Sequence, residues 1–272
     1  MQKLPIQEYQ VQSDGLRIRM LEIAKRAGGG HLGGSFSVID VLLFLYSEVL
    51  NIDPKDVKNS KRDRLILSKG HSCLALYVCL EKFGFIAKDE ALTFLEEDSR
   101  LAGHAEHFHI DSIEITTGSL GHGLGVAAGM ALAAKKMGET WKTFCILGDG
   151  ECNEGSVWET LMFIAQHNLN NIITIIDANK QESLDWTKNI LSIDPISDKI
   201  KAFGLNPIEI NGHSFVEIQN AFQKASISDK PSVIVANTIK GKGVDFMEGS
   251  MKWHYRAPSD DEFKLGIEQL RN

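Results

Sequence analysis

Residues 143–179, TFCILGDGECNEGSVWETLMFIAQHNLNNIITIIDAN, decide the fold. Phe144-Cys145-Ile146-Leu147 is an apolar run of strand length that stops at Gly148-Asp149-Gly150, where two glycines let the backbone turn and approach a ligand closely. The Asp149 carboxylate is thereby left at the strand's carboxyl end. Ser156-Val157-Trp158-Glu159 has the form of a capping box, so a helix is expected to open there with Trp158, Leu161, Met162, Ile164 and Ala165 on its buried side. A second β-branched run, residues 172–176, ends at Asp177-Ala178-Asn179. Strand, helix, strand is a βαβ unit with parallel strands, a right-handed crossover and both carboxyl ends on one edge of the sheet. Asp149 then lies beside Asn179, on the edge where open parallel sheets bind ligands. One carboxylate and one amide oxygen suit Mg²⁺, which takes oxygen ligands and fills its octahedron with water and substrate phosphates. The pattern predicts a diphosphate held through a divalent ion.

Outward from this unit, further ligand-facing signals recur. Residues 8–27 read as an amphipathic helix ended by Gly28-Gly29-Gly30. His31 follows, then Gly33-Gly34, a setting that suits a loop brought close to a ligand, and residues 38–50 are apolar enough for a buried helix. A short strand, residues 64–67, ends in Ser68-Lys69-Gly70-His71 before a helix over 72–83. This repeats the strand-end placement of Asp149. A charged helix is expected over 88–97, then an irregular stretch over 98–117 carrying His104, His107 and His109. That histidine trio lacks a carboxylate at ligand spacing, so it is read as a loop. Residues 118–123, GSLGHG, open a helix of glycines and alanines. Beyond residue 180 come a loop, a helix over 196–203, a strand over 207–210, a helix capped by Ser214 and Glu217, and a strand over 232–237. A ligand-covering segment through TIKGKG to Trp253-His254 and a last helix capped by Ser259 and Glu262 complete the chain. The expected fold class is α/β, a mostly parallel central sheet with helices on both faces, in a single domain over residues 1–272.

The 272 residues suffice for a full core, and 43% hydrophobic with 24% charged residues is ordinary for a globular chain. A net charge of −7 argues against nucleic acid as the main partner. No signal-peptide core is seen at the start and no apolar run reads as long enough to cross a membrane, so a cytoplasmic location is expected. The four cysteines, Cys73, Cys79, Cys145 and Cys152, have no zinc spacing and read as reduced core thiols. Without a base beside it, Cys152 is not read as a nucleophile.

From about Ile18 to Pro258 the order of landmarks GGHLGGS, DRLILSKGH, LAGH, TTGSLGHGL, GDGECNEG, the Asn179 loop, TIKGKG and WHYRAP resembles the amino-terminal, thiamine-diphosphate-binding part of the transketolase family. SKGH points to transketolase rather than to deoxyxylulose-phosphate synthase or the α subunit of 2-oxo-acid dehydrogenases. The resemblance implies that Asp149, Asn179 and the Gln181 backbone carbonyl ligate Mg²⁺, with Ca²⁺ or Mn²⁺ as substitutes. Gly148, Asp149, Gly150 and Asn179, together with His71 and His254, would hold the diphosphate of thiamine diphosphate, and Gly118 and Leu120 would meet its aminopyrimidine through their backbones. His31, His71, His104 and His254 would line the channel for a sugar or sugar phosphate and move protons. Glu154 would fall near the cofactor and the subunit contact. Two departures stand out: His122 where the family has Gln, and Glu182-Ser183-Leu184-Asp185-Trp186 after the cofactor asparagine.

The same resemblance implies transfer of a two-carbon ketol unit from a ketose to an aldose, as in the pentose phosphate pathway. The pyrimidine-binding and carboxyl-terminal domains of the family have no counterpart in the sequence, so a partner subunit carrying them is expected, in an α2β2 heterotetramer. Two other readings stay open: a related thiamine-diphosphate-dependent transferase or synthase with a different sugar or aldehyde, and a non-catalytic scaffold paralogue. A nicotinamide oxidoreductase is disfavoured because no G-x-G-x-x-G follows the first strand.

Overall fold

The computed structural model describes residues 5–272. Five strands, β1 (Arg64–Leu67), β2 (Thr143–Gly148), β3 (Ile172–Ala178), β4 (Asn206–Asn211) and β5 (Ser232–Asn237), form one sheet in the order β1-β2-β3-β5-β4. Every pair is parallel, and Gly148 registers with Asp177, so β2 and β3 deliver Asp149 and Asn179 to the same edge. The central strands are buried on both faces. Phe144, Ile146, Ile173 and Ile175 enter one core, while Cys145, Leu147, Ile172 and Ile176 enter the other. The alternation is that of a strand, yet both faces are apolar, as a sheet covered twice requires.

One face carries α1 (Ile6–Ala27), α2 (Leu32–Phe44), α3 (Cys73–Lys82) and α8 (Phe215–Ser226), with the last helix, α9 (Asp260–Arg271), joining the same core through Leu270. The other carries α4 (His122–Met137), α5 (Gly155–Gln166) and α7 (Ile196–Ala202), the last preceded in the chain by the short α6 (Thr187–Ile190). The first helix stops at Gly28, which takes a left-handed φ of 72° and donates its N–H to the Ala24 carbonyl. All of α2 is buried, and a π-helical turn, Leu45–Val49, extends it. Contrary to the sequence expectation, Leu32–Val49 is long and apolar enough by composition to cross a membrane, with mean hydropathy 1.5; here 83% of it is covered inside the protein. Both of its acids have partners: Asp40 pairs with Arg17 at 2.7 Å, and Glu48 accepts from the Tyr9 hydroxyl.

Other expectations are corrected. Gly33 and Gly34 lie in the first turn of α2 rather than in a loop. Their glycines serve close packing: a Cβ on Gly33 would come within 2.9 Å of the Trp253 carbonyl oxygen, in the covering segment. The helix over 88–97 shrinks to a 3-10 turn, Glu90–Thr93, flanked by Asp89 and Leu95 at left-handed φ of 65° and 62°. At α5 no capping box forms, because the helix starts at Gly155 and the Ser156 hydroxyl donates instead to the Gly121 carbonyl. Ser214 accepts from the Glu217 N–H, but the Glu217 carboxylate takes the Asn211 N–H. The reciprocal box is complete at Ser259 and Glu262.

Candidate active site

The carboxyl ends of β1, β2 and β3, the amino-terminal ends of α2 and α4 and the covering segment after β5 enclose a cleft of about 270 Å³. Its lining includes His31, His71, His104, His254, Gly118, Leu120, Gly148, Asp149, Gly150, Asn179 and Gln181. Of the residues that the resemblance assigns to metal, cofactor or substrate, Glu154 is the one left outside this lining. It is the exposed residue preceding α5, packed against Gly121. His122 is also exposed, its Nδ1 beside the Leu120 carbonyl at 3.1 Å. Away from the cleft, His107 is occupied by the Ile113 carbonyl, and no group of His, Cys, Asp or Glu among the described residues is arranged as a metal cluster.

Four imidazoles meet at one end. The His31 ring lies 5.3 Å from that of His71, 5.8 Å from His104 and 5.2 Å from His254, with Tyr255 at 4.7 Å. Burial and the neighbouring His254 push His31 down to about 3, and burial with Lys240 and Lys69 pushes His254 down to about 4. His71 is likewise held well below its usual range, by burial and by Lys69. His31, His71 and His254 are therefore neutral at pH 7, so each of these three has one donor and one acceptor nitrogen. The Lys240 ammonium donates to His254 Nδ1 at 3.0 Å, which leaves the proton on Nε2.

At the other end lies Asp149, only 3% exposed. Its oxygens accept from the backbone N–H groups of Gly150 and Lys180, and no ion pair reaches it among the described residues. Burial and the nearby Asp177 push it up to about 7, the mark of a buried carboxylate short of a cation. Asn179 Oδ1 accepts from the Gln181 N–H at 3.1 Å, and Gln181 Oε1 is buried with no partner among the described residues. The Gln181 carbonyl lies 3.5 Å from the Lys240 ammonium. One uncompensated carboxylate, an amide oxygen and a backbone carbonyl form an all-oxygen donor set that fits a hard divalent ion.

Sequence reasoning passed over the charges that hold this cleft together. Lys69 pairs with Asp177, both 1% exposed, and Ser37 and Thr238 also bond Asp177. Burial alone would raise Asp177; Lys69 and these hydroxyls outweigh it and hold the acid below its usual range. Glu151 accepts from Ser68, from the Gly121 N–H at 2.8 Å and from the Gly148 N–H at 3.0 Å, tying β1, β2 and α4 together. Behind the covering segment, His213 Nδ1 meets Asp40 at 2.6 Å and its Nε2 accepts from the Ile239 N–H, which fixes the residue before Lys240. An acid ending an apolar strand, and lysines inside SKGH and TIKGKG, were the available signals.

The profile of the family described as transketolase, thiamine diphosphate binding domain, matches residues 9–271. The chain belongs to the transketolase family. It is 40% identical over 270 residues to an apulose-4-phosphate transketolase subunit of Actinobacillus succinogenes, covering 99% of this chain and 98% of that one. To the 6-deoxy-6-sulfo-D-fructose transketolase subunit SqwG of a Clostridium species it is 37% identical, covering 97% and 96%. Human transketolase is 35% identical across 88% of this chain, which spans 38% of the human one. The Campylobacter jejuni transketolase structure superposes with a TM-score of 0.93 at 32% identity, covering 98% of this chain and 43% of that chain. The parallel α/β architecture is thus that of the transketolase thiamine-diphosphate-binding domain.

Proposed function

We propose that this chain is the thiamine-diphosphate-binding subunit of a two-chain transketolase that moves a two-carbon ketol unit from a ketose to an aldose. The carrying observation is the single cleft in which the Asp149, Asn179 and Gln181 oxygens lie at one end and four imidazoles at the other. Asp149, Asn179 and the Gln181 carbonyl would hold the divalent ion, with the Gly148-Asp149-Gly150 turn, His71 and His254 beside the diphosphate. When bound, the cofactor supplies the nucleophilic carbon and the electron sink for breaking the ketose's carbon–carbon bond. His31, His71, His104 and His254 orient the sugar's hydroxyl and carbonyl oxygens. A neutral imidazole takes the hydroxyl proton as that bond breaks and returns one when the new bond forms. His254, its tautomer set by Lys240, offers Nε2–H as the donor.

Near end-to-end alignment with relatives named as subunits supports a partner chain that completes the cofactor site, with an α2β2 assembly as the simplest closed form. Those relatives are named for ketoses carrying phosphate or sulfonate, so anionic ketoses are the first donors to assay. A cytoplasmic location belongs to this reading and is tested by fractionation. The decisive experiment mixes the purified chain with Mg²⁺, thiamine diphosphate, a ketose phosphate and an aldose phosphate, with and without the candidate partner. Turnover is expected only with the partner. Turnover by the chain alone would refute the two-chain reading, and a different product with the partner would identify a related synthase instead.

A further inference from the structure

Glu182, the first residue of the loop that departs from the family pattern, is placed with care by the backbone. Gln181 and Trp186 form an antiparallel bridge, and the Glu182 N–H donates to the Asp185 carbonyl at 2.9 Å, so residues 182–185 make a tight reversal. The Lys240 ammonium donates to the Glu182 carbonyl at 2.8 Å. With its backbone pinned, the Glu182 side chain folds back across the Gly148-Asp149-Gly150 turn. A Cβ built on Gly150 would lie 2.6 Å from Glu182 Cγ and 3.1 Å from Cδ. Asn153 Nδ2 donates to Oε1 at 3.1 Å and steadies the carboxylate there. Glu182 and Asp149 therefore line one cleft.

A second observation at the same place points to a ligand. Gln181 is 4% exposed and lines this cleft; its Nε2 donates to the Gly249 carbonyl at 2.7 Å, while Oε1 has no hydrogen-bond partner among the described residues. Lys240, the cation nearest to hand, is engaged by the carbonyls of residues 181 and 182 and by His254.

We propose that Glu182 is a second acidic determinant of the divalent-ion site, holding ion-bound water and imposing an order in which the ion must arrive before or with the diphosphate. The inference rests on the proposed function, since it takes the cleft to be a diphosphate site. A carboxylate over the Gly150 turn attracts a hydrated dication and repels a bare diphosphate. With the ion in place the same charge is neutralised and the diphosphate enters. A chain with an uncharged residue at this position would bind ion and cofactor with less mutual dependence.

The test uses Mn²⁺ as the probe, titrated into the full chain without cofactor and followed by the electron paramagnetic resonance of free Mn²⁺. Thiamine diphosphate binding in chelator, followed by calorimetry, is the second readout. Glu182→Gln should weaken Mn²⁺ about tenfold and tighten chelator-state cofactor binding, whereas Glu182→Asp, which keeps the charge, should stay within about threefold of the parent. Parent-like Mn²⁺ and cofactor binding by Glu182→Gln, with Asp149→Asn having lost the ion, would overturn the role of Glu182 and leave the proposed function standing. Undiminished Mn²⁺ binding by Asp149→Asn would instead refute the ion site on which both rest. A melting curve of each variant separates lost binding from lost fold, and Glu182→Ala, which also removes the charge, carries the comparison if Glu182→Gln is unfolded.

Discussion

Asp149 is a buried acid that forms no ion pair among the described residues, so its chemistry depends on what binds it. Asp149→Asn keeps the shape and removes the charge. The rise in melting temperature that Mg²⁺ and thiamine diphosphate give the parent should vanish in this variant, as read by differential scanning fluorimetry. The histidines carry a different signature. Burial keeps His31 neutral in the folded chain down to about 3, while its ordinary value is 6.5. Its contribution to stability is therefore intact above pH 6.5 and is lost as the pH falls from there toward 3, because only the unfolded chain takes up the proton. Urea titrations at stepwise lower pH should show a shallower loss of stability for His31→Gln than for the parent. Asp149, His31 and His71 were readable from the sequence because each sits at a strand end or beside glycines, whereas His104 and His254 were singled out through the resemblance carried by LAGH and WHYRAP. Lys69 and Asp177 were not, since their pairing spans 108 positions and exists only once β1 and β3 share an edge.

At the scale of elements, buried polar bonds set the relative placement of strands and helices around the cleft. Lys69→Met would leave Asp177 sealed in without its counter-charge and should cost about 4 kcal/mol of unfolding free energy. Glu151→Ala would strand the Gly121 and Gly148 N–H groups and the Ser68 hydroxyl, and should cost about 3 kcal/mol. Guanidinium titrations at neutral pH check both. The sequence made all five strands legible, because each is a short run, β-branched in β3 and β5, whose length and bounding glycine or polar residues favour strand over helix. Short-range cues fared less evenly. The capping pattern at Ser156 failed because the hydroxyl found the Gly121 carbonyl, a partner thirty-five positions away. The charged stretch over 88–97 failed because Glu90 is drawn to Arg100 and the backbone bends at Asp89 and Leu95.

For the molecule as a whole, every strand of the sheet is parallel, and hydrogen-bonded neighbours are far apart in sequence: Arg64 registers with Thr143, and Ile173 with Ser232. The binding cleft takes residues from the ends of β1, β2 and β3 and from the segment beyond β5. No fragment shorter than most of the chain can form it. Helices form locally and early, whereas such distant pairings are slow to close. On dilution from denaturant, far-ultraviolet circular dichroism should recover well before the capacity to bind Mn²⁺, as followed by stopped-flow and by quenched spin-resonance samples. Simultaneous recovery would contradict this ordering. Cofactor capture would then act as a clock on maturation: a newly synthesised chain becomes competent only after its last long-range strand has docked.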